Sequence, residues 1–188
     1  MRKIVSANQK EKKQKRVQII VGIILIFVMF GSVFGVIVGN SGTKKDSKIN
    51  YNGFKFIEKN NFWFVELGEF IFRFSYNPEE IIEVASDLKY LDNYQDKPLY
   101  IYSEDINSEI EISANLQQVT QRIQYACLSE EECNGDFPIK TCEDNFIIIR
   151  ESEVAGIKQD NNCVFIEGKN DELSKLSDDF LFYILNIR

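Results

Sequence analysis

Hydrophobic positions fall along this chain in three textures. Residues 17–39 form an almost unbroken apolar run of 23 residues, with Gln18 and Ser32 as its only polar side chains. As a helix, at about 1.5 Å per residue, the run would span roughly 34 Å, enough to cross a bilayer core of about 30 Å. From 51 to 76 the texture changes to alternation. Phe54 and Phe56 flank a lysine, Phe62-Trp63-Phe64-Val65 follows, and Phe70, Phe72 and Phe74 alternate with Ile71 and Arg73. Period-two spacing of aromatics predicts three half-buried strands in an antiparallel meander, with turns at 59–61 and 67–69. Asn77-Pro78 ends it.

The third texture mixes short continuous apolar runs with helical spacing. Residues 99–102, 146–149 and 164–166 are runs of the kind expected in strands covered on both faces. After the first of them, Ser108 and Glu111 have the spacing of a capping box. Ile112, Leu116, Val119, Ile123 and Ala126 then recur at intervals of four and three, one apolar helical stripe. The opposite face, Asn115, Gln117, Gln118, Gln121, Arg122 and Gln124, is expected to meet water. Residues 79–96 are ambiguous, because Ile81, Ile82, Val84, Ala85 and Leu88 fit a short helix without specifying one. Residues 152–162 read as a hairpin or irregular loop. Leu173, Leu176, Phe180, Ile184 and Ile187 predict a last helix packed on the sheet.

The expected fold class is mixed α/β (α+β). An N-terminal transmembrane helix leads to one outer domain, a three-strand meander followed by a strand-helix-strand-strand-helix unit, with helices on at least one face of a single sheet. The expected domain organisation is a basic tail at 1–16, a transmembrane helix at 17–39, a tether at 40–50 and a globular domain at 51–188.

Charge orients the anchor. Residues 1–16 carry seven basic residues and one acid. Such a flank stays in the cytoplasm, although Lys44, Lys45 and Lys48 weaken the contrast. The chain is therefore expected in the cell membrane as a single-pass protein, N-terminus cytoplasmic and C-terminal domain outside. A cleaved signal peptide fits less well, since an h-region is about 7–15 residues long and ends in a small-residue site. Gly31, Gly35 and Gly39 line one stripe of the run. That stripe suits a homodimer through the transmembrane helix and equally suits glycine without a partner. From position 17 onward there are 15 basic and 28 acidic residues. An excess of that sign disfavours nucleic acid as a partner.

Four cysteines, Cys127, Cys133, Cys142 and Cys163, in an exported domain predict two disulfides. Three pairings are open. The favoured one closes a local loop with Cys127–Cys133 and ties two strand starts with Cys142–Cys163. The paired knuckles of a zinc site are missing from the spacing.

The sequence contains no histidine, which excludes Ser-His-Asp triads, Cys-His dyads and HExxH sites. It contains neither GxxxxGK[ST] nor GxGxxG, so no cofactor is expected. Carboxylate chemistry survives elimination. Glu104, Asp105, Glu143, Asp144 and Glu167 sit near expected strand ends, where α/β sites form and where solvated acids are also common. No catalytic or metal-ligating residue is assigned.

The stretches KTCEDNFIIIRE (140–151) and NNCVFIEG (161–168) resemble segments of small archaeal single-pass membrane proteins of unknown function. That resemblance implies a basic start, one membrane helix and a cysteine-containing outer domain, and no activity. The function expected is a membrane-anchored binding or accessory module, not an enzyme, acting on an unidentified protein partner through an aromatic patch at Phe62, Trp63 and Phe64. The alternatives are a pilin-like filament subunit and a histidine-free carboxylate enzyme. The enzyme reading requires a cleft with two converging acids of raised pKa.

Overall fold

The computed structural model describes Val21, residues 47–81 and 83–131, Cys133 and residues 135–188. The basic tail, Gly31, Gly35, Gly39 and, apart from Val21, the expected transmembrane helix at 17–39 lie outside the described residues. Among the described residues no helix is long and apolar enough to cross a membrane.

The first sheet is an antiparallel meander of four strands in chain order, β1 (Lys48–Tyr51), β2 (Phe54–Lys59), β3 (Phe62–Leu67) and β4 (Phe70–Phe74). Two-residue turns set its register. Tyr51 pairs with Phe54 across Asn52-Gly53, and Lys59 with Phe62 across Asn60-Asn61. All four of these turn residues have positive φ, from 46° to 86°. That is the requirement of the I′ turn, whose twist matches the strands it joins. The expected three strands are thus four. Strand β1 takes 48–50 out of the expected tether and moves the start of the domain ahead of 51. Its two inward residues, Ile49 and Tyr51, are too few to register as an alternation.

The second sheet has the order β6-β5-β7-β9-β8. It comprises β5 (Pro98–Ser103), β6 (Arg122–Tyr125), β7 (Phe146–Glu151), β8 (Gly156–Asp160) and β9 (Cys163–Gly168). Strands β6, β5, β7 and β9 run parallel, and β8 joins β9 as an antiparallel hairpin. The single sheet expected from the sequence is therefore two, one antiparallel and one mixed.

Two helices serve both sheets, α1 (Ile106–Leu116) and α2 (Asn170–Ile184). The expected stripe through Ile123 and Ala126 overshoots α1, which ends at Leu116. There the Leu116 carbonyl accepts from the N–H of Val119, the N–H of Thr120 and the Thr120 hydroxyl. The chain then turns and Ile123 enters β6. The N-cap also moves. Asp105, not Ser108, caps α1, and its Oδ2 accepts from both the N–H (2.7 Å) and the Oγ (2.6 Å) of Ser108.

One core joins the inward face of the meander (Phe56, Val65, Phe72, Phe74), the helices (Ile112, Leu116, Phe180, Phe182) and one face of the mixed sheet (Leu99, Ile101, Ile147, Ile149). The Phe182 ring lies 4.4 Å from Phe74 and 5.9 Å from Phe56. The helices are thus layered between the two sheets. The far face of the mixed sheet packs Tyr100, Phe146 and Ile148 against the cysteine-bearing loops.

The polar side of α1 is only partly a water face. Strand β4 is an edge strand, and an exposed edge invites pairing with another chain. Asn115 accepts from the Arg73 N–H (2.8 Å) and donates to the Arg73 carbonyl (2.6 Å). Glu111 accepts from the Ser75 N–H, and Gln118 donates to the Ile71 carbonyl. Residues 111, 115 and 118 recur at helical spacing along residues 71, 73 and 75, so the helix closes the edge with side chains. Gln117, Gln121, Arg122 and Gln124 remain exposed, as expected.

Candidate functional site

The expected disulfides are Cys127–Cys133 and Cys142–Cys163 in the structure, and no described cysteine is free. Cys163 opens β9, where its partner in the β7 register is Phe146. Cys127 lies just beyond β6 and bridges Ile139 in parallel fashion. The pair therefore staples the loops that cover the far face of the mixed sheet.

The expected aromatic patch divides between two faces. Trp63 points inward and is buried, opposite Phe74 in the register. It drops out of the patch because neighbouring strand residues face opposite ways. Phe62 and Phe64 point outward and are half-buried, with the Arg73 guanidinium 4.5 Å above the Phe62 ring.

The five acids expected near strand ends do not converge. Glu104 and Asp105 follow β5 and Glu167 lies near the end of β9, at the carboxyl edge of the parallel strands. Glu143 and Asp144 precede β7 and so belong to the other edge. Their oxygens are engaged locally. Glu104 accepts from the Glu151 N–H, Glu167 pairs with Arg150 at 2.6 Å, and Asp144 pairs with Lys140 at 3.4 Å.

Two other acids do converge, Glu111 on α1 and Asp178 on α2. Both are buried, at 3 % and 0 % exposure. Glu111 Oε1 accepts from the Ser75 N–H and Oε2 from the Ser75 hydroxyl, each at 2.9 Å, while Arg73 stands 3.9 Å away. Asp178 Oδ2 accepts from the Tyr76 N–H at 2.8 Å. Its Oδ1 has no N–H or hydroxyl donor, and Glu111 is the neighbouring carboxyl. Burial, and then the charge and hydrogen bond of Glu111, push the Asp178 carboxyl well above the usual range. A proton on Asp178, shared with Glu111 as a hydrogen bond, satisfies this geometry. A crevice of about 420 Å³ lies beside the pair, lined by Phe62, Arg73, Ser75, Tyr76 and Ile110 among others. The acids themselves are committed to the backbone where the chain leaves β4.

This pair has a testable sign. The folded state holds a proton that the unfolded chain releases near pH 4. Its stabilisation is full below that value and is lost as pH rises through the raised folded pKa. In Asp178→Asn the amide can still accept from Tyr76 and can donate to Glu111. The variant is expected to match or exceed the wild type at neutral pH and to flatten this slope. Urea midpoints between about pH 4 and 8 read the slope. A variant slope parallel to the wild type would remove the shared proton.

A second crevice, of about 370 Å³, opens at the carboxyl ends of β5 and β6 between Tyr102, Glu104, Tyr125 and Phe137. Crevices at this edge of a parallel sheet are where open α/β folds place ligands. Two large apolar side chains left in water line it, Tyr125 at 46 % exposure and Phe137 at 44 %, while the exposed Ile106 opens the helix that follows β5 and the exposed Ile139 bridges Cys127. Tyr125 and Phe137 are tilted against each other at 6.0 Å. The Tyr125 hydroxyl donates to Glu109, and that bond raises the phenol above its ordinary range, with burial adding to it. Tyr102 donates to Glu104 at 3.4 Å. The rim is therefore aromatic and acidic. The sequence hides it because the apolar helical stripe runs through Ala126, past Tyr125, and no periodicity marks Phe137.

The chain matches no protein-family model, no curated protein and no solved structure.

Proposed function

We propose that the protein is a membrane-anchored, extracytoplasmic binding or accessory module that acts through protein contacts at the carboxyl rim of its mixed sheet. The observation that carries this reading is the pair of aromatic side chains held in water at that rim, Tyr125 and Phe137, with Ile106 and Ile139 also exposed on the segments next to its lining residues. Exposed apolar groups gathered beside a crevice mark interaction surfaces, and tyrosine and phenylalanine are enriched there. Glu104 and Glu109 make the rim acidic, so the partner surface that suits it is apolar and basic.

The apolar run at 17–39 with its basic flank supports the anchor and its orientation. Use of all four cysteines in two disulfides supports export to an oxidising compartment. Kinship with the small archaeal single-pass proteins belongs to the same proposal. The converging acids Glu111 and Asp178 meet part of the requirement for an enzyme, but their engagement with the Ser75 and Tyr76 backbone supports a structural role.

Cross-linking of the full-length protein in its native membrane, followed by mass spectrometry, tests the proposal. The expected result is a set of links from the rim to one other protein, lost when Tyr125 and Phe137 are both replaced by serine. Links only between copies, unchanged by those replacements, would overturn the rim reading and favour assembly through Gly31, Gly35 and Gly39 or a filament.

A further inference from the structure

The alternation of an antiparallel sheet with one solvated face places polar residues on that face. The meander departs from this. Its outward positions include Ile57, Phe62, Phe64 and Ile71, and Ile71 is 57 % exposed. Ile57 pairs across the strands with Phe64, while Phe62 pairs with Lys59 and Ile71 with Glu66, so apolar side chains and charged ones are interspersed over the face.

Charge on this face also departs from the rest of the domain. Residues 47–188 contain 13 basic and 27 acidic side chains. The outward face of the meander carries Lys48, Lys55 and Lys59 against a single acid, Glu66, with Arg73 on the same face already beside Glu111. A basic border around aromatic and aliphatic side chains is the composition of surfaces that lie at an anionic lipid interface. Strand addition at β4 does not compete for this region, because α1 already closes that edge.

Chain geometry puts the face within reach. The apolar run ends at Gly39 and β1 begins at Lys48. The eight residues between them reach at most about 30 Å even when fully extended. The meander is thus the first described element after the apolar run.

We propose that the outward face of the meander rests on the anionic headgroups of the membrane that holds the anchor. The proposal rests on the anchored reading above. The negative domain as a whole is repelled by such a surface, and attraction falls off within about 10 Å. Docking therefore depends on the tether, which holds the basic face at high local concentration.

The test uses the full-length protein in vesicles of phosphatidylglycerol with phosphatidylcholine, and of phosphatidylcholine alone. A membrane-impermeant acetylating reagent is applied and lysine modification is read by mass spectrometry. Lys55 and Lys59 are expected to react about fivefold more slowly on the anionic vesicles, with Lys158 and Lys169 unchanged as references. The protection is expected to vanish in about 1 M salt, where screening acts over about 3 Å. Equal rates on both vesicles overturn the docking, as does protection that depends on protein concentration and not on lipid charge, the mark of a second copy. Protection found only in native membranes overturns it in favour of a protein partner. Flotation after an alkaline carbonate wash reads the anchor separately. Protein that fails to float refutes the anchor, while protein that floats with reactive Lys55 and Lys59 refutes only the docking.

Discussion

Replacing Asp179 with alanine is expected to lower the unfolding free energy by about 3–5 kcal/mol, the range for breaking a buried ion pair by removing one partner. Asp179 is fully buried on α2. One oxygen, Oδ2, accepts from the N–H groups of Val84 and Ala85, each at 2.9 Å. The other, Oδ1, stands 2.7 Å from Arg188 Nη2, whose side chain is only 7 % exposed. Arg188 also donates to the Ala85 carbonyl and pairs with Glu83 at 3.3 Å. A single carboxylate thus ties the irregular segment after the meander and the C-terminal residue to the helix between the sheets. Burial raises its pKa, and the two N–H groups and Arg188 act against that rise. Alanine would strand the N–H groups of Val84 and Ala85 and leave Arg188 with only Glu83 and the Ala85 carbonyl. Asparagine would keep an acceptor for Val84 and Ala85 but lose the charge, so its loss should be intermediate. With a slope of about 2 kcal/mol per M urea, the alanine midpoint should fall by about 1.5–2.5 M. A fall of less than about 0.5 M would mean that apolar packing of Ala85 and Leu88 holds the segment without the carboxylate.

Asp179 also marks where sequence reading stopped. The stripe of Leu173, Leu176, Phe180 and Ile184 was legible because one side of a helix on a sheet repeats at 3.6 residues. The two adjacent acids then read as the water side. In the structure every residue from 176 to 182 is buried, since α2 lies between two sheets. A helix covered on both sides must satisfy its acids internally, and the partners come from Ser75, Tyr76, Val84 and Ala85, about 100 positions away in sequence. Nothing local announces such a pairing. The end of α1 was illegible for a different reason. No glycine or proline interrupts residues 108–134, and Ile123 continues the helical stripe by coincidence while lying in β6. The turns at Asn60-Asn61 and Gly68 are readable because asparagine and glycine tolerate positive φ, whereas the Asn52-Gly53 hairpin goes unread with β1, and the buried strands are readable because 99–102, 146–149 and 164–166 are continuous. The converging acids and the carboxyl rim depend on tertiary placement alone.

Loss of the Cys142–Cys163 bridge is expected to destabilise the domain by about 3 kcal/mol, the chain-entropy value for a loop of about 21 residues. The same relation gives about 2 kcal/mol for the shorter Cys127–Cys133 loop, with its separation of 6. Packing adds to both losses. Cys163 is fully buried beside Phe146 and Ile148, and serine there would put a hydroxyl into an apolar cluster. Cys127 is buried as well, while Cys133 and Cys142 are both half-buried, so loop length sets the difference. Double serine variants of each pair, unfolded in urea, read the two losses independently. The larger fall should follow Cys142→Ser with Cys163→Ser, and reduction of the wild type should reproduce the sum of the two. The loop between Cys142 and Cys163 contains β7 and β8, two of the five strands of the mixed sheet. Reduction should therefore loosen the sheet that carries the rim as well as lower the stability. If the Cys127–Cys133 variant proved the weaker of the two, the staple over the far face of the sheet would matter more than loop length, and the chain-entropy account of these bridges would fail.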